Sequence, residues 1–391
     1  MKIFGFQFGA AKSKQAVVMP PVADALPMAF SSPFITLPKG NLSQPYIQNR
    51  YSNGNWVNFG AANDYPQILT QLYFQSPLHG AIIEFITNSI VGGGWEWDTK
   101  KNTREKIDLF TFDKANNLNK LIRLLTRDWL MHRRVTVLVT KHPNRTSLTR
   151  VDPSYVRNSA DLETFYWSND WRGGVTALKT YKKCYPNSAE KESLFVYQDE
   201  TPGQDVYPIP AYNSILNWAA LDSDIAFFQK SNMQNSIFPS IVIRRPKEFQ
   251  SLDEVEKFKA GITENQGAGN AGRVLVLSGN GKDDVPEFGQ ISANNNESLF
   301  VNAGRECKEQ ICFAWGINPS LMGLKVAGSL GNASELQMSY GIYEKSVVIP
   351  TRTQVEDFIK SLLFCAGVET GIKFNNFQII DGEIVDKTTK I

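Results

Sequence analysis

The chain has few of the residues that small-site chemistry needs. It carries four cysteines and three histidines in 391 residues. Cys184, Cys307, Cys312 and Cys365 are scattered, and no CxxC pair occurs. Cys307 and Cys312, five apart on an expected helix, do not face the same way. This argues against a disulfide framework and a zinc site, and for reduced, structural thiols in a cytoplasmic protein. His79, His132 and His142 fall in no HExxH-like array, so neither a metal nor a cofactor is expected. Long apolar runs are also missing. Nothing approaches the roughly 18 residues of a membrane span. Lys12 and Lys14 interrupt the opening "MKIFGFQFGAAKSKQ" before a secretory core forms. Net charge is nearly absent: 41 basic against 39 acidic residues give +2. That argues against tight, charge-driven nucleic-acid binding over the whole surface, while leaving local patches open.

What is present is a globular balance, 42% hydrophobic and 20% charged, on a chain too long for one ordinary core. Residues 1–57 hold Pro20, Pro21, Pro27, Pro33, Pro38 and Pro45 without sustained periodicity, and read as an extended arm. Residues 58–212 read as α+β. Pro66 opens a helix with Ile68, Leu69, Leu72 and Tyr73 on one face. Ser76 and Pro77 cap and start a second, with Leu78, Ile82, Phe85, Ile86 and Ile90 at period 3.6. Gly92 to Gly94 stop it, and "WEWD" reads as a strand. Leu121, Leu125 and Trp129 mark a helix from Leu118 to about Met131, and "RVTVLVTKH" is a strand by its β-branched residues. The stretch from "TRVDPSYVRNS" to "VYQDETPGQDVYPIP" reads as β-rich.

The pattern turns helical from Asn213 to Asn235, with Trp218, Leu221, Ile225 and Phe228 as its stripe. "SIVIRR" is a strand; "SLDEVEKFKAGI" is a helix with a capping box at Ser251 and Glu254; "GRVLVLSGNGK" is a strand and turn. A helix over 295–315 carries Leu299, Ala303, Cys307, Ile311 and Ala314 as a stripe, with Arg305, Lys308 and Glu309 outside it, and Gly316 ends it. The run "GINPSLMGLKVAGSLGNASELQ" then has one charge, Lys325, and a connection this long in a compact domain is usually functional or disordered. Ser334 and Gln337 form a second capping box, opening a helix with Leu336, Tyr340, Tyr343 and Val347 on one face. Pro350 interrupts it, and a kink is expected there. Gly367 stops the helix, and a short tail adds a strand or stays loose.

Several motifs tempt and have plainer readings. "GAGNAG" matches G-x-G-x-x-G but follows a helix and precedes a strand, the reverse of a dinucleotide fingerprint. "SGNGKDD" lacks P-loop spacing and reads as a turn. Glu96 and Asp98 share a strand face roughly 7 Å apart, a spacing that admits glycoside chemistry, although a solvated face is the commoner outcome. Asp222 with Asp224 reads as solvated, and Asp283 with Asp284 as a turn. Arg244, Arg245 and Lys247 form the best basic cluster, either solvated or facing an acidic partner or phosphate. Arg133 and Arg134 rank lower, because a helix end favours cations anyway. No nucleophile, base and oxyanion site assembles, so no enzyme is expected.

The order of elements resembles the HK97-like portal protein family of tailed bacteriophages. The resemblance rests on "FFQKSNMQNSIFPSIVIRRP", "SLDEVEKFKAGITENQGAGNAGRVLVL", "ECKEQICFAWGINPSLMG" and "GNASELQMSYGIYEKSVVIPTRTQVEDFIKSLL", in order and spacing. It covers roughly residues 58 to 365. It implies an α+β portal fold with wing, two-helix stem, small α/β clip, kinked long helix and minimal crown. The arm would be 1–57, the first part of the wing 58–212, and the stem helices 213–236 and 295–316. The clip would be 237–294, the tunnel loop 317–333, the kinked wing helix 334–364 and the crown or tail 365–391. About 26 residues cannot build a substantial helical crown, and the arm lies outside the resemblance.

The family implies a ring, dodecameric in virions, at one capsid vertex. Its partners would be duplex DNA passing through non-specifically, the terminase large subunit, the head-tail adaptor and the major capsid protein, with no membrane. It would reside in the virion, and in the host cytoplasm during assembly. Leu321, Met322, Leu324, Lys325, Val326, Ser329 and Asn332 would face the channel, and Arg244, Arg245 and Lys247 would dock a partner on the clip. A conduit must not grip its cargo, and each phosphate neutralised by Lys or Arg strengthens binding, so a nearly uncharged loop suits that role. The plainer reading of the loop is a connector with no DNA role. Two other readings stand beside the portal: another ring-forming virion protein (an adaptor or capsid component), and a carbohydrate-active or nucleic-acid-processing enzyme using Glu96 and Asp98.

Overall fold

Two prolines and a serine set the first helical pair. In the computed structural model, α1 (Tyr65–Gln75) carries Pro66 in its first turn, where the missing N–H costs nothing. Ser76 has extended backbone between α1 and α2 (Pro77–Val91). Its hydroxyl accepts from the His79 amide at 3.3 Å and donates to Asp222 at 2.8 Å. Ile68, Leu69 and Leu72 on α1 and Ile82, Ile86 and Ile90 on α2 are buried, as their spacing demands. Each contributes about 1.5–3 kcal/mol by leaving water. The structure describes residues 42–43, 55–98, 110–112, 118–143, 145–171, 178–186, 188–235, 241–244, 251–253, 256–257, 260, 287–290, 296–324, 333–375, 378–380 and 383–385. All of them belong to one compact unit, Pro38–Ile391.

After α2 come β1 (Trp95–Trp97), β2 (Phe110–Phe112) and α3 (Leu118–His132). Then follow β3 (Arg134–His142), β4 (Arg145–Arg150), β5 (Val156–Asn158), β6 (Thr164–Trp167), β7 (Lys179–Lys183) and β8 (Glu192–Gln198). Seven of these strands form one mixed sheet in the order β2-β4-β3-β8-β7-β6-β5. β3 is its spine, antiparallel to both β4 and β8, and Val135, Val137 and Val139 on it are fully buried. β2 runs parallel to β4 and β7 parallel to β8. α3 lies against β3 and β4, burying Leu121, Leu125 and Trp129.

The sheet is locked by charge that the sequence does not advertise. Arg134 and Arg157 are both fully buried, which corrects the reading of Arg134 as a helix-end cation. Arg157 donates to the Asn63 side chain at 2.5 Å, the Asn63 carbonyl at 2.6 Å and the Ser154 carbonyl at 2.9 Å, and lies over the Trp171 ring. Arg134 donates to Asn158 and to the Val156 carbonyl. Burial pulls Arg157 down to about 9 and Arg134 to about 10, so both keep their charge at neutral pH. Beside them Arg150 grips the buried Asp128 with two bonds of 2.6 Å, tying α3 to β4.

A 3-10 turn at Ala211–Ile215 leads into α4 (Leu216–Asn235). β9 (Ile241–Arg244) pairs antiparallel with β10 (Glu287–Gln290), and α5 (Asn296–Ala314) follows. β10 is a strand the sequence reading did not assign. Between β9 and β10 the helical positions Leu252, Asp253, Glu256, Lys257 and Ala260 fit the expected helix, with Lys257 and Asp253 paired at 2.9 Å. "GAGNAG", "SGNGKDD" and the strand "RVLVL" lie outside the described residues. The arm does too, apart from its last residues and Leu42 and Ser43. The Leu42 amide donates to Asn217 at 2.9 Å, and the Ser43 hydroxyl to the Ser214 carbonyl at 3.1 Å.

α6 (Ala333–Tyr343) begins one residue before Ser334, so Ser334 sits inside the first turn. The helix passes through a π turn at Glu344–Val348 and continues as α7 (Ile349–Cys365). α7 buries Val355, Phe358, Ile359 and Leu362. Trp129 of α3, Tyr197 of β8 and Phe358 of α7 meet with ring centroids 5.6–6.0 Å apart. The tail holds β11 (Ile372–Phe374), β12 (Gln378–Ile380) and β13 (Glu383–Val385). β11 pairs with β1, while β12 and β13 form a hairpin.

Candidate functional site

The site is built where the start of α4 and the end of α5 meet. The end of α5 is held by Trp315, whose indole stacks on Tyr212 at 4.9 Å and donates to His79 Nδ1 at 3.1 Å. Tyr212, in the turn before α4, is fully buried beside them. Three elements distant in sequence therefore converge on one aromatic joint. Burial holds the His79 imidazole down to about 3, so it is neutral. With Nδ1 accepting, its proton resides on Nε2, which has no partner among the described residues.

From this joint the two helices diverge in exposure. Leu216 and Ala219 at the start of α4, and Ile311 and Cys312 near the end of α5, are buried. Farther out, residues 226–230 on α4 and Val301, Asn302, Arg305 and Glu306 on α5 are exposed. The expected α4 stripe is only partly realised: Ile225 is buried, but Leu221 and Phe228 are exposed. On α5, Cys307 and Ile311 are buried, with Arg305, Lys308 and Glu309 outside, as expected. Asp222, read as solvated, instead holds Ser76.

The connection after α5 starts as defined structure. Gly316 (φ +61) takes the left-handed conformation. The Gly316 amide donates to Phe313 O and the Ile317 amide to Cys312 O, both at 3.0 Å, closing a Schellman motif. Asn318 then caps a 3-10 turn, Pro319–Met322, accepting from the Ser320 amide at 3.0 Å. Gly323 (φ +74) closes that turn, with Leu324 N to Pro319 O at 3.1 Å. Gly323 thus fixes a shape here. The Asn318 side chain donates to Ser339 on α6 at 3.2 Å, tying the two ends of the connection together. Leu321, Met322 and Leu324 are half-buried at this root. Lys325, Val326, Ser329 and Asn332 lie outside the described residues.

Beyond α6 the π turn bonds Ile349 N to Glu344 O, five residues back. Pro350 is exposed in the first turn of α7, and the Thr351 hydroxyl donates to Val347 O at 2.7 Å. The change of winding thus precedes the proline. On the outer pair of strands, Arg244 stands opposite Glu287 in register, while Arg245 and Lys247 lie outside the described residues. Glu96 is exposed opposite Lys373 in the β1–β11 pair. Asp98 pairs with Lys373 at 3.2 Å. Among the described residues no group of acidic, histidine and cysteine side chains is placed to hold a metal. No described helix is long and apolar enough to cross a membrane.

The model of the family described as phage portal protein matches residues 111–389. The chain belongs to the phage portal protein family. The probable portal protein of Escherichia phage P2 is 19% identical over 225 residues, 58% of this chain and 60% of that one. An uncharacterized protein of Rickettsia bellii is 24% identical over 155 residues, 38% of each chain. The matches thus span less than two thirds of these relatives. Among solved structures, a chain from the virion of a native gene transfer agent particle shares the fold at TM-score 0.54 and 15% identity, covering 79% of this chain and 83% of that one. A chain from the neck of the native particle, computed with C12 symmetry, does so at 0.52 and 15%, covering 78% and 82%. The portal family is structural and not enzymatic, so the portal fold makes sense of a chain whose ordered polar clusters hold elements together.

Proposed function

We propose that this portal-family chain assembles into a ring at one capsid vertex and serves as the conduit for duplex DNA during packaging and ejection. The family match carries the reading. Three features support it in detail. First, α4 and α5 start and end at one buried joint, and residues 226–230 of α4 and Val301, Asn302, Arg305 and Glu306 of α5 are exposed, as a two-helix stem (213–236 and 295–316) requires. Second, the pair β9–β10 stands between them in sequence, as a clip (237–294) would. Third, the loop 317–333 is rooted firmly at both ends, by the Gly316 and Gly323 closures and by the Asn318–Ser339 bond, which suits a collar that meets moving cargo without being torn from the body.

Large apolar side chains are exposed on α4, α5 and α6. Phe313 is 83% exposed, Phe227 72%, Met338 71% and Ile342 64%. Such side chains mark surfaces that other molecules cover, and copies side by side in a ring, a dodecamer on this reading, would cover them. In the ring the loop residues Leu321, Met322, Leu324, Lys325, Val326, Ser329 and Asn332 face the channel, and the π turn with Pro350 sets the bend between α6 and α7. Residues 58–212 and 334–364 make the wing, and 365–391 stand where larger portals have a crown. The clip cluster Arg244, Arg245 and Lys247 docks the terminase or the head-tail adaptor. A net charge of +2 keeps the conduit from gripping phosphate. The chain catalyses nothing and needs no cofactor on this reading. The test is complementation: heads assembled without the chain should contain no DNA, and supplying the chain should restore filled heads. Filled heads in its absence would overturn the reading.

A further inference from the structure

Two cysteines 181 residues apart meet beneath the end of α7, away from the loop root and the stem. Cys184 follows β7 directly, and its amide is fixed by the Leu194 carbonyl of β8 at 3.0 Å. Cys365 is the last residue of α7. Each thiol donates to the other's backbone carbonyl, Cys184 Sγ to Cys365 O at 3.7 Å and Cys365 Sγ to Cys184 O at 3.6 Å. The neighbouring Cys365 side chain, first of all, holds the Cys184 thiol down to about 6, and the Lys141 ammonium adds to the effect. Cys307 and Cys312 behave oppositely: burial pushes both up to about 11. Cys184 is buried and Cys365 half-buried, so a small reagent reaches the pair from the Cys365 side.

We propose that Cys184 and Cys365 are a disulfide-forming site, reduced as the chain folds and closed by a peroxide-class oxidant into a link between the β7–β8 connection and the end of α7. The Cys184 thiolate attacks one peroxide oxygen and the O–O bond breaks. Cys184 becomes a sulfenic acid, and the departing hydroxide takes up a proton as water. The Cys365 sulfur then displaces the sulfenic hydroxyl, which leaves with the Cys365 proton as a second water. Two thiols lose two electrons to one peroxide. The link closes a long loop, the case in which a cross-link most restricts the unfolded chain. It fastens α7 to the large sheet at a point where only non-covalent contacts now hold. It goes beyond the conduit reading and does not depend on it.

The test uses the purified full chain, treated with hydrogen peroxide or with dithiothreitol, then alkylated and digested without reduction. Mass spectrometry should find a peptide joining Cys184 to Cys365 only after oxidation, with Cys307 and Cys312 still alkylated. The unfolding temperature should rise on oxidation, return with reductant, and stay unmoved by oxidant in Cys365→Ser. The proposal is overturned if all four thiols remain alkylated, if Cys184 over-oxidises alone, or if links join either cysteine to Cys307 or Cys312. Because the linked peptide is read from a digest, the outcome does not depend on whether the chain forms rings.

Discussion

Trp315→Phe is the sharpest probe of the joint from which the helices and the loop spring. Phenylalanine keeps most of the stacking on Tyr212, which lies 4.9 Å away at 24°. It deletes the indole N–H that His79 Nδ1 accepts at 3.1 Å. The imidazole is fully buried, and its Nε2 already lacks a partner among the described residues. The variant therefore strands a second ring nitrogen. A buried polar atom left unpaired costs about 1–3 kcal/mol, and the missing ring atoms about 1 kcal/mol more. The expected loss is about 2–4 kcal/mol, against a net stability that is itself only about 5–15 kcal/mol for a typical domain. Urea unfolding followed by circular dichroism should show the midpoint falling with little change in slope. Trp315→Ala, which also removes the stack, should be worse. A loss below about 0.5 kcal/mol for Trp315→Phe, inside the range of an ordinary surface change, would refute the claim that this hydrogen bond holds the joint.

Five further outcomes are expected. His79 is held neutral with its value lowered from 6.5 to about 3 and His132 to about 4, both by burial. Between those values and 6.5 the unfolded chain binds more protons. The two histidines' contribution to stability should therefore be full above pH 6.5 and fall as pH drops through this window, by about 1.4 kcal/mol per unit for each, opposed by the buried Asp128, whose carboxyl burial raises to about 7; thermal melts across the window, compared between the native chain and His79→Gln, isolate the His79 share of the slope. Gly323→Ala should cost about 1 kcal/mol, because an L side chain is strained at φ +74. Gly341→Ala, in open space on α6, should stabilise by about 0.5–1 kcal/mol, and urea midpoints separate the two. Lys325→Ala should lower packaging efficiency or DNA retention with ring formation intact, whereas unchanged packaging there and in a glycine-to-proline series through the loop would return it to a passive connector. Charge reversal at Arg244, Arg245 and Lys247 should weaken docking of an acidic partner and reduce its salt dependence; unchanged docking would make the cluster ordinary surface.

Helix ends were the most legible part of the sequence. Ser76–Pro77, Gly316 and Gly367 each act through local backbone chemistry, so the residue type alone announces the break. The apolar faces of α1, α2 and α3 were legible for a related reason: each is buried within its own chain, and period 3.6 reports that directly. The α4 stripe was half right. Leu221 and Phe228 repeat as a core face would, yet they are exposed, since periodicity says that a face wants cover and not who supplies it. β10 escaped notice because it is four residues long, includes a glycine, and is made a strand by pairing with β9 more than 40 residues away. Arg134 and Arg157 escaped because their partners, Asn158 and Asn63, become partners only once the sheet is assembled. Pro350 drew attention to the right helix, but the change of winding lies in the π turn before it, among residues with no distinctive signature. Of the candidate loop, its rooted start is described, and its one charge, Lys325, is not.

Single-particle electron microscopy of the purified chain tests the central claim most directly. The account expects closed rings with an axial hole, with α4 and α5 of each copy standing beside those of its neighbours and the loop after Gly323 bordering the opening. Monomers or closed dimers under assembly conditions, or rings with that loop turned outward, would contradict it.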